Sequence, residues 1–162
     1  MQIRWLIDQE ELTPEEVIHQ ELDKVVQIEG NLLRTVNSFR EISPALFSST
    51  RGDLAQWSEQ LPRWMRLSAL VETDESSTDK RRMLFVVHLF FLSTNMLIAR
   101  LAHGGRHATV PRYDIEEVRI AAGDGVIAAR TASRILPLQL DEGIVFQNYW
   151  LCKYVSLQST TY

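Results

Sequence analysis

The stretch "RRMLFVVHLFFLSTNMLIARLAHGG", Arg81 to Gly105, sets His88, Ser93, Thr94, Asn95, Arg100 and His103 along an otherwise apolar run. On a helix turning by about 100° per residue, His88 and Asn95 fall on nearly the same line, and His103 lies within about a sixth of a turn of His88. A polar stripe therefore runs down a hydrophobic rod. A buried imidazole or amide without a hydrogen bond costs about 1–3 kcal/mol, so two readings compete. In the first, helix carbonyls, Ser/Thr hydroxyls or a buried water satisfy these groups, and the rod is a core helix. In the second, His88 and Asn95 line an internal cavity and present donors to a ligand carbonyl. Such donors stabilise charge that develops in a transition state without any cofactor. His88 and Asn95 are the candidate catalytic pair.

A cavity needs walls. Core packing accounts for most of the aromatic residues, among them Trp5, Phe85, Phe90, Phe146 and Tyr154. Trp64, which follows Pro62 between Arg63 and Arg66, and the Tyr149–Trp150 pair are the residues expected at a cavity wall. With Trp57, Phe91 and Lys153 they make up the candidate ligand contacts.

Other chemistries lack their parts. His103 and His107 stand four apart, but Gly104 and Gly105 break the helix that would align them, and no carboxylate completes a metal site. There is no Gly-x-Ser-x-Gly elbow and no Cys–His motif. The single cysteine, Cys152, reads as a small apolar residue; it permits no internal disulfide or cysteine-based zinc site and fits a reducing, intracellular setting. No glycine-rich loop follows a strand, so nucleotide binding has no support. Neither a metal nor a cofactor is expected.

The elements that would hold the site read as helices throughout. A chain of 162 residues is enough for one domain, and 45% hydrophobic content excludes a disordered one. A net charge of -4 gives no drive towards nucleic acid, and the basic clusters at Lys80–Arg82 and Arg100–Arg112 read as solvated helix ends. The start of the chain is too acidic, and its apolar run too short, for a secretory signal. Met83–Leu101 approaches the ~20 residues that cross a bilayer. His88, Asn95 and Arg100 interrupt it and no positive-inside flank is evident, so it reads as a core helix rather than a membrane span.

Along the chain, Thr13, Pro14 and Glu16 form a capping box at the start of a long amphipathic helix carrying Ile18, Leu22, Val25, Leu32 and Val36, ended by Ser43-Pro44. Gly30 inside it implies close packing or a break. "SPALFSSTRG" reads as a loop. A second helix places Leu54, Trp57, Leu61, Trp64, Met65 and Ser68 on one face, kinked or restarted at Pro62. The long helix spans about residues 78–103 and stops at Gly104-Gly105. Asp114 and Glu117 cap a further helix, closed by Pro137, with Ile115, Val118, Ala122, Val126, Ala129 and Leu136 on its inner side. Its many Ala and Gly residues imply close approach of a neighbour, "GDG" at Gly123–Gly125 included. Asp124 is placed to pair with Arg119 or Arg130. The last segment, "IVFQNYWLCKYVSLQSTTY", reads as helix from its Phe146, Tyr149, Lys153, Leu157 spacing. The expected fold is all-α: an irregular bundle of about five to seven helices around a long central apolar helix, as a single domain.

Four of these stretches, "LAQWSEQLP", "LFVVHLFFLSTNMLIARLA", "IAAGDGVIAARTASRIL" and "VFQNYWLCKYVSLQST", resemble in order the middle homology region of fungal zinc-binuclear-cluster transcription factors. The likeness covers roughly residues 15–160, and each motif is loose. It implies an all-helical fold and a fungal origin. The family's six-cysteine zinc cluster and coiled-coil linker are absent, and its region is longer, so only its C-terminal part corresponds and DNA binding by the family's means is not expected.

Two functions remain. One is a cofactor-independent cyclase of Diels–Alder type, in the setting of fungal secondary metabolism. It would fold a polyene, terpenoid or polyketide in an apolar cavity, where preorganisation lowers the barrier. The other is a non-catalytic regulatory or interaction domain, cytoplasmic or nuclear, working as a homodimer. A compact chain starting at Met1 without the DNA-binding module tilts the reading to the first. Its expected partner is a small hydrophobic molecule, with no nucleic acid and no membrane.

Overall fold

The computed structural model describes residues 12–37, 44–72, 78–104 and 115–141. Five α-helices are found among them: α1 (Pro14–Asn37), α2 (Pro44–Gln60), α3 (Leu67–Glu72), α4 (Thr78–Gly104) and α5 (Ile115–Asp141). A 3-10 turn, Arg63–Met65, joins α2 to α3, and no strand occurs among the described residues. The all-α bundle around a long apolar helix is therefore as the sequence reads.

α1 starts where its capping box places it. The Thr13 backbone N–H donates to Glu16 Oε2 at 2.7 Å, and the Glu16 N–H donates back to Thr13 Oγ1 at 3.3 Å. Both orphan donors are met reciprocally, and the bonds from Thr13 hold the Glu16 carboxyl below its ordinary pKa. Ile18, Val25 and Leu32 are fully buried along the inner face. Gly30 involves neither close packing nor a break, since a Cβ there would meet nothing within 4 Å and the helix runs through it.

The "SPALFSSTRG" segment is helix, not loop. Pro44 suits a first helical position, where its missing N–H loses nothing. Phe47, Thr50, Leu54 and Trp57 then recur at helical spacing and are buried. Thr50 Oγ1 donates to the Leu46 carbonyl at 2.8 Å, so a residue type that favours turns is turned back onto its own helix. Pro62 ends α2, as expected, and the chain restarts. The 3-10 turn changes the phase of the pattern: Leu61 and Met65 stay buried, whereas Trp64 is 43% exposed and Ser68 is exposed.

α4 is the axis of the bundle. It packs most extensively against α5, then α1, with lesser contacts to α2 and α3. Phe85, Val87, Leu89, Met96 and Ala99 have no exposure at all. The helix is long and apolar enough to cross a membrane, but 67% of its most apolar stretch is buried inside the protein. Its neighbours cover the surface that lipid would otherwise meet.

α5 departs from expectation in three ways. It continues through Pro137 to Asp141. Its buried face is Ala121, Ala128, Ala129, Ala132 and Ile135, while Val118, Ala122, Val126 and Leu136 are only half-buried. Four alanines make up most of this face, and Val118 and Val126 stand to its side, because small side chains let two helix backbones approach. Asp124 pairs across the bundle with Arg51 of α2 (Nη2 to Oδ2, 2.8 Å) rather than along its own helix. Of the "GDG" run, Gly125 is buried but Gly123 is exposed, with nothing within 4 Å of an added Cβ. The capping residue Asp114, the end signal at Gly105 and the C-terminal "IVFQNYWLCKYVSLQSTTY" segment lie outside the described residues.

Candidate functional site

The polar stripe of α4 finds its first partners in carbonyls. Ser93 Oγ and Thr94 Oγ1 donate to Phe90 O at 3.0 and 2.8 Å, and Asn95 Nδ2 donates to Phe91 O at 2.9 Å. His103 Nδ1 lies 3.0 Å from Ala99 O. His88 is the member of the stripe that reaches off its own helix, with Nε2 2.7 Å from the Met65 carbonyl of the 3-10 turn. A carbonyl only accepts, so Nε2 carries the proton. Burial holds the His88 pKa below its ordinary value, against an opposing push from the Met65 bond. The ring is thus neutral near pH 7, with its remaining lone pair at Nδ1.

Trp57 completes an aromatic cluster with two residues of α4. Its ring centroid lies 5.3 Å from that of Phe91 and 6.5 Å from that of His88, the latter edge-on. The Trp57 Nε1–H is buried without an acceptor among the described residues.

Two open clefts flank Phe91. The first, about 450 Å³, lies between α2 and α5 over α4. Leu54, Ala55, Phe91, Leu92, Ile127 and Ala128 supply its apolar surface, and the Arg51–Asp124 ion pair and Asn95 supply its polar groups. Asn95 spends one N–H on Phe91, and its other N–H and Oδ1 have no partner among the described residues. The second cleft, about 470 Å³, is lined by His88, Leu61, Leu67, Arg66 and Ser68. Ser58, Glu59 and Phe91 line both clefts, so these three side chains are the wall between them. Arg66 donates to the Leu61 and Glu59 carbonyls at 3.3 and 3.5 Å and makes no ion pair among the described residues.

The fold therefore brings His88, Phe91 and Trp57 together, with Asn95 one turn further along α4. Trp57 sits behind the clefts rather than in them, edging a separate polar hollow between α1 and α2. Trp64 does not join the cluster. Tyr149, Trp150 and Lys153 lie outside the described residues. Sequence reasoning also passed over Arg66, Ser58 and Arg51, whose cleft positions depend on the packing of α2 against α4 and α5. It passed over Glu29 too, which is 6% exposed on the inner face of α1. Burial raises the Glu29 carboxyl pKa to about 7, and the neighbouring Ser93 hydroxyl pulls the other way. The signal for it was present: Glu29 occupies the helical step between Val25 and Leu32, where the apolar face predicts a hydrophobic residue.

No family model, curated protein or solved structure matches the chain. The reading of the site rests on its own geometry.

Proposed function

We propose that this domain binds a small, largely apolar molecule bearing an oxygen-containing end, held along α4 in the paired clefts around Phe91. The observation that carries the reading is the polarity of these surfaces. Each cleft has the volume of a small-molecule site and sets apolar residues beside polar ones: Leu54, Phe91, Leu92 and Ile127 beside Arg51, Glu59, Asn95 and Asp124 in the first, Leu61, Leu67 and Phe91 beside Glu59, Arg66, Ser68 and His88 in the second. Donors stand at both ends: the second Asn95 N–H in one, the Arg66 guanidinium and the Ser68 hydroxyl in the other. Carbonyl or carboxylate oxygens suit such donors.

The same arrangement supports one class of reaction. A flexible polyene or polyketide chain pressed against Phe91 and Leu92 loses conformational freedom before it reacts. A carbonyl held by Asn95 is activated by hydrogen bonding. The proposed activity is accordingly a cofactor-independent cyclisation, in which the groove supplies shape and Asn95 the donor. His88 acts as a positioning residue, since its N–H is committed to Met65.

Titration with cis-parinaric acid, a conjugated polyene carboxylate that fluoresces in apolar surroundings, tests the binding. Saturable enhancement is expected, weakened at least about tenfold by Ala55→Trp, which fills the first cleft from an exposed helix position. Asn95→Leu should weaken it less. No saturable signal, or equal binding by both variants and the parent, overturns the reading. Isomeric product seen by mass spectrometry after incubation with linear polyenes would separate turnover from binding.

A further inference from the structure

The outward face of α5 meets the first cleft at Ile127 and extends beyond it through Ile120 and Gly123, which line neither cleft. Ile127 is 65% exposed and Ile120 is 37% exposed, which makes them two of the large apolar side chains left on the surface. On the helical wheel they fall within one arc of about 80° that also holds Glu116, Gly123, Arg130 and Arg134. All six are exposed. The space over Gly123 is open, with nothing within 4 Å of an added Cβ.

Charge along this arc is polarised. Glu116 stands at its N-terminal end, with Arg119 bonded to it beside the arc (Nε to Oε2, 2.8 Å). Arg130 and Arg134 stand at the other end and make no ion pair among the described residues. Glu116 in the first turn suits the macrodipole, but Arg130 and Arg134 lie too far before Asp141 to feel it. That effect does not account for two isoleucines and a glycine exposed between the charged ends.

We propose that this stripe is the contact surface for a second copy of the chain, with the two α5 helices antiparallel and crossing midway between Gly123 and Ile127. Reversal of one helix sets the acidic end of each against the basic end of the other; a parallel pair would stack like charges. A two-fold axis near Gly125 seats Ile127 in the gap over the partner's Gly123. It also brings Glu116 opposite the partner's Arg134. The contact is isologous, as a two-fold dimer requires. Two crossing helices bury less than the ~1,200 Å² typical of tight complexes, so the dimer is weak, with a Kd on the order of 10 μM.

Sedimentation velocity from about 1 to 500 μM at low salt tests this, the range being set to bracket that affinity. The parent chain should shift from monomer to dimer. Ile120→Arg and Gly123→Arg, neither of which lines the clefts, should remain monomeric and still bind parinaric acid. Glu116→Arg and Arg134→Glu should each weaken the dimer at least about tenfold, and the double swap should restore it, because the charge pairing is regained. A parent that stays monomeric throughout overturns the proposal, as does a dimer indifferent to Ile120→Arg. A monomer that sediments with anionic lipid vesicles would assign the stripe to a membrane surface and equally overturn it.

Discussion

His88 of α4 donates from Nε2 to the carbonyl of Met65 across 2.7 Å, and this bond ties the central helix to the turn that restarts the chain after Pro62. The Met65 side chain is fully buried, so the turn is pinned by apolar packing and by one polar contact. Replacing His88 with Ala removes a buried ring and leaves the Met65 carbonyl without its partner. A loss of about 2–4 kcal/mol is expected from the cavity and the unpaired acceptor together. His88→Gln keeps an N–H donor at similar reach and should recover at least half of that loss. Urea unfolding of the three proteins checks the ordering; equal stability of Ala and Gln variants would show that the bond contributes nothing.

Glu29 and His88 should give opposite dependences of stability on pH. The Glu29 pKa is raised from 4.5 to about 7, chiefly by burial. A raised carboxyl pKa means that stability is fully present below pH 4.5 and lost as pH rises through 7, by about 3 kcal/mol in all. The His88 pKa is lowered from 6.5 by burial. Its share is present above pH 6.5 and is lost as pH falls towards the folded value. Below pH 6.5 the two slopes have opposite signs and partly offset each other. Glu29→Gln should be more stable than the parent at pH 8, with little difference at pH 4.5, and should expose the histidine slope. Thermal melts across that range measure both curves. A Glu29→Gln difference that does not grow with pH would remove Glu29 from the account, and a Glu29→Gln curve without a rise towards pH 6.5 would remove His88.

Much of the bundle was legible because its signals are local. The Thr13–Glu16 box, the Pro62 restart and the uninterrupted apolar run of α4 each need only a few neighbouring residues to be read. What failed depended on phase or on partners. Trp64 was expected on the face of Met65, yet the 3-10 turn rotates the two apart. The Ser/Thr-rich start of α2 reads as a loop because hydroxyls compete with helix hydrogen bonding; in the fold Ser49 and Thr50 bond back to the Leu46 carbonyl, and Ser48 bonds to Glu117 of α5. Asp124 was matched to arginines on its own helix, whereas Arg51 approaches from another element. Of the clefts, the α4 residues His88, Phe91 and Asn95 were legible, but not their division into two open spaces, which are set between α2, α4 and α5 and which no single segment encodes.

The inner face of α5 offers a sharp test of helix phase. Ala132 has no exposure and faces the axis of the bundle, while Ala122 is half-buried. Ala132→Leu adds three carbons to a packed interface and should cost about 1–3 kcal/mol through overpacking. Ala122→Leu should change stability by less than about 0.5 kcal/mol, because part of the added side chain can turn to solvent. Paired denaturation curves decide it. Equal costs would mean that the face lies where the larger residues Val118 and Val126 point.

Phe91 is the wall between the clefts and the stacking partner of Trp57, and its truncation should separate these roles. Phe91→Ala removes a half-buried ring and should cost about 2–3 kcal/mol, below the usual range for a fully buried phenylalanine. It also joins the two spaces and opens one face of the Trp57 indole. Bulky bis-ANS should then gain affinity relative to the smaller ANS by several-fold, because only the larger probe needs the merged volume. In a Trp57→Phe background the mutation should no longer red-shift the tryptophan emission, which assigns that shift to Trp57 among the four tryptophans of the chain. If the two probes keep the same affinity ratio while stability falls, Phe91 serves the core alone and the clefts act independently.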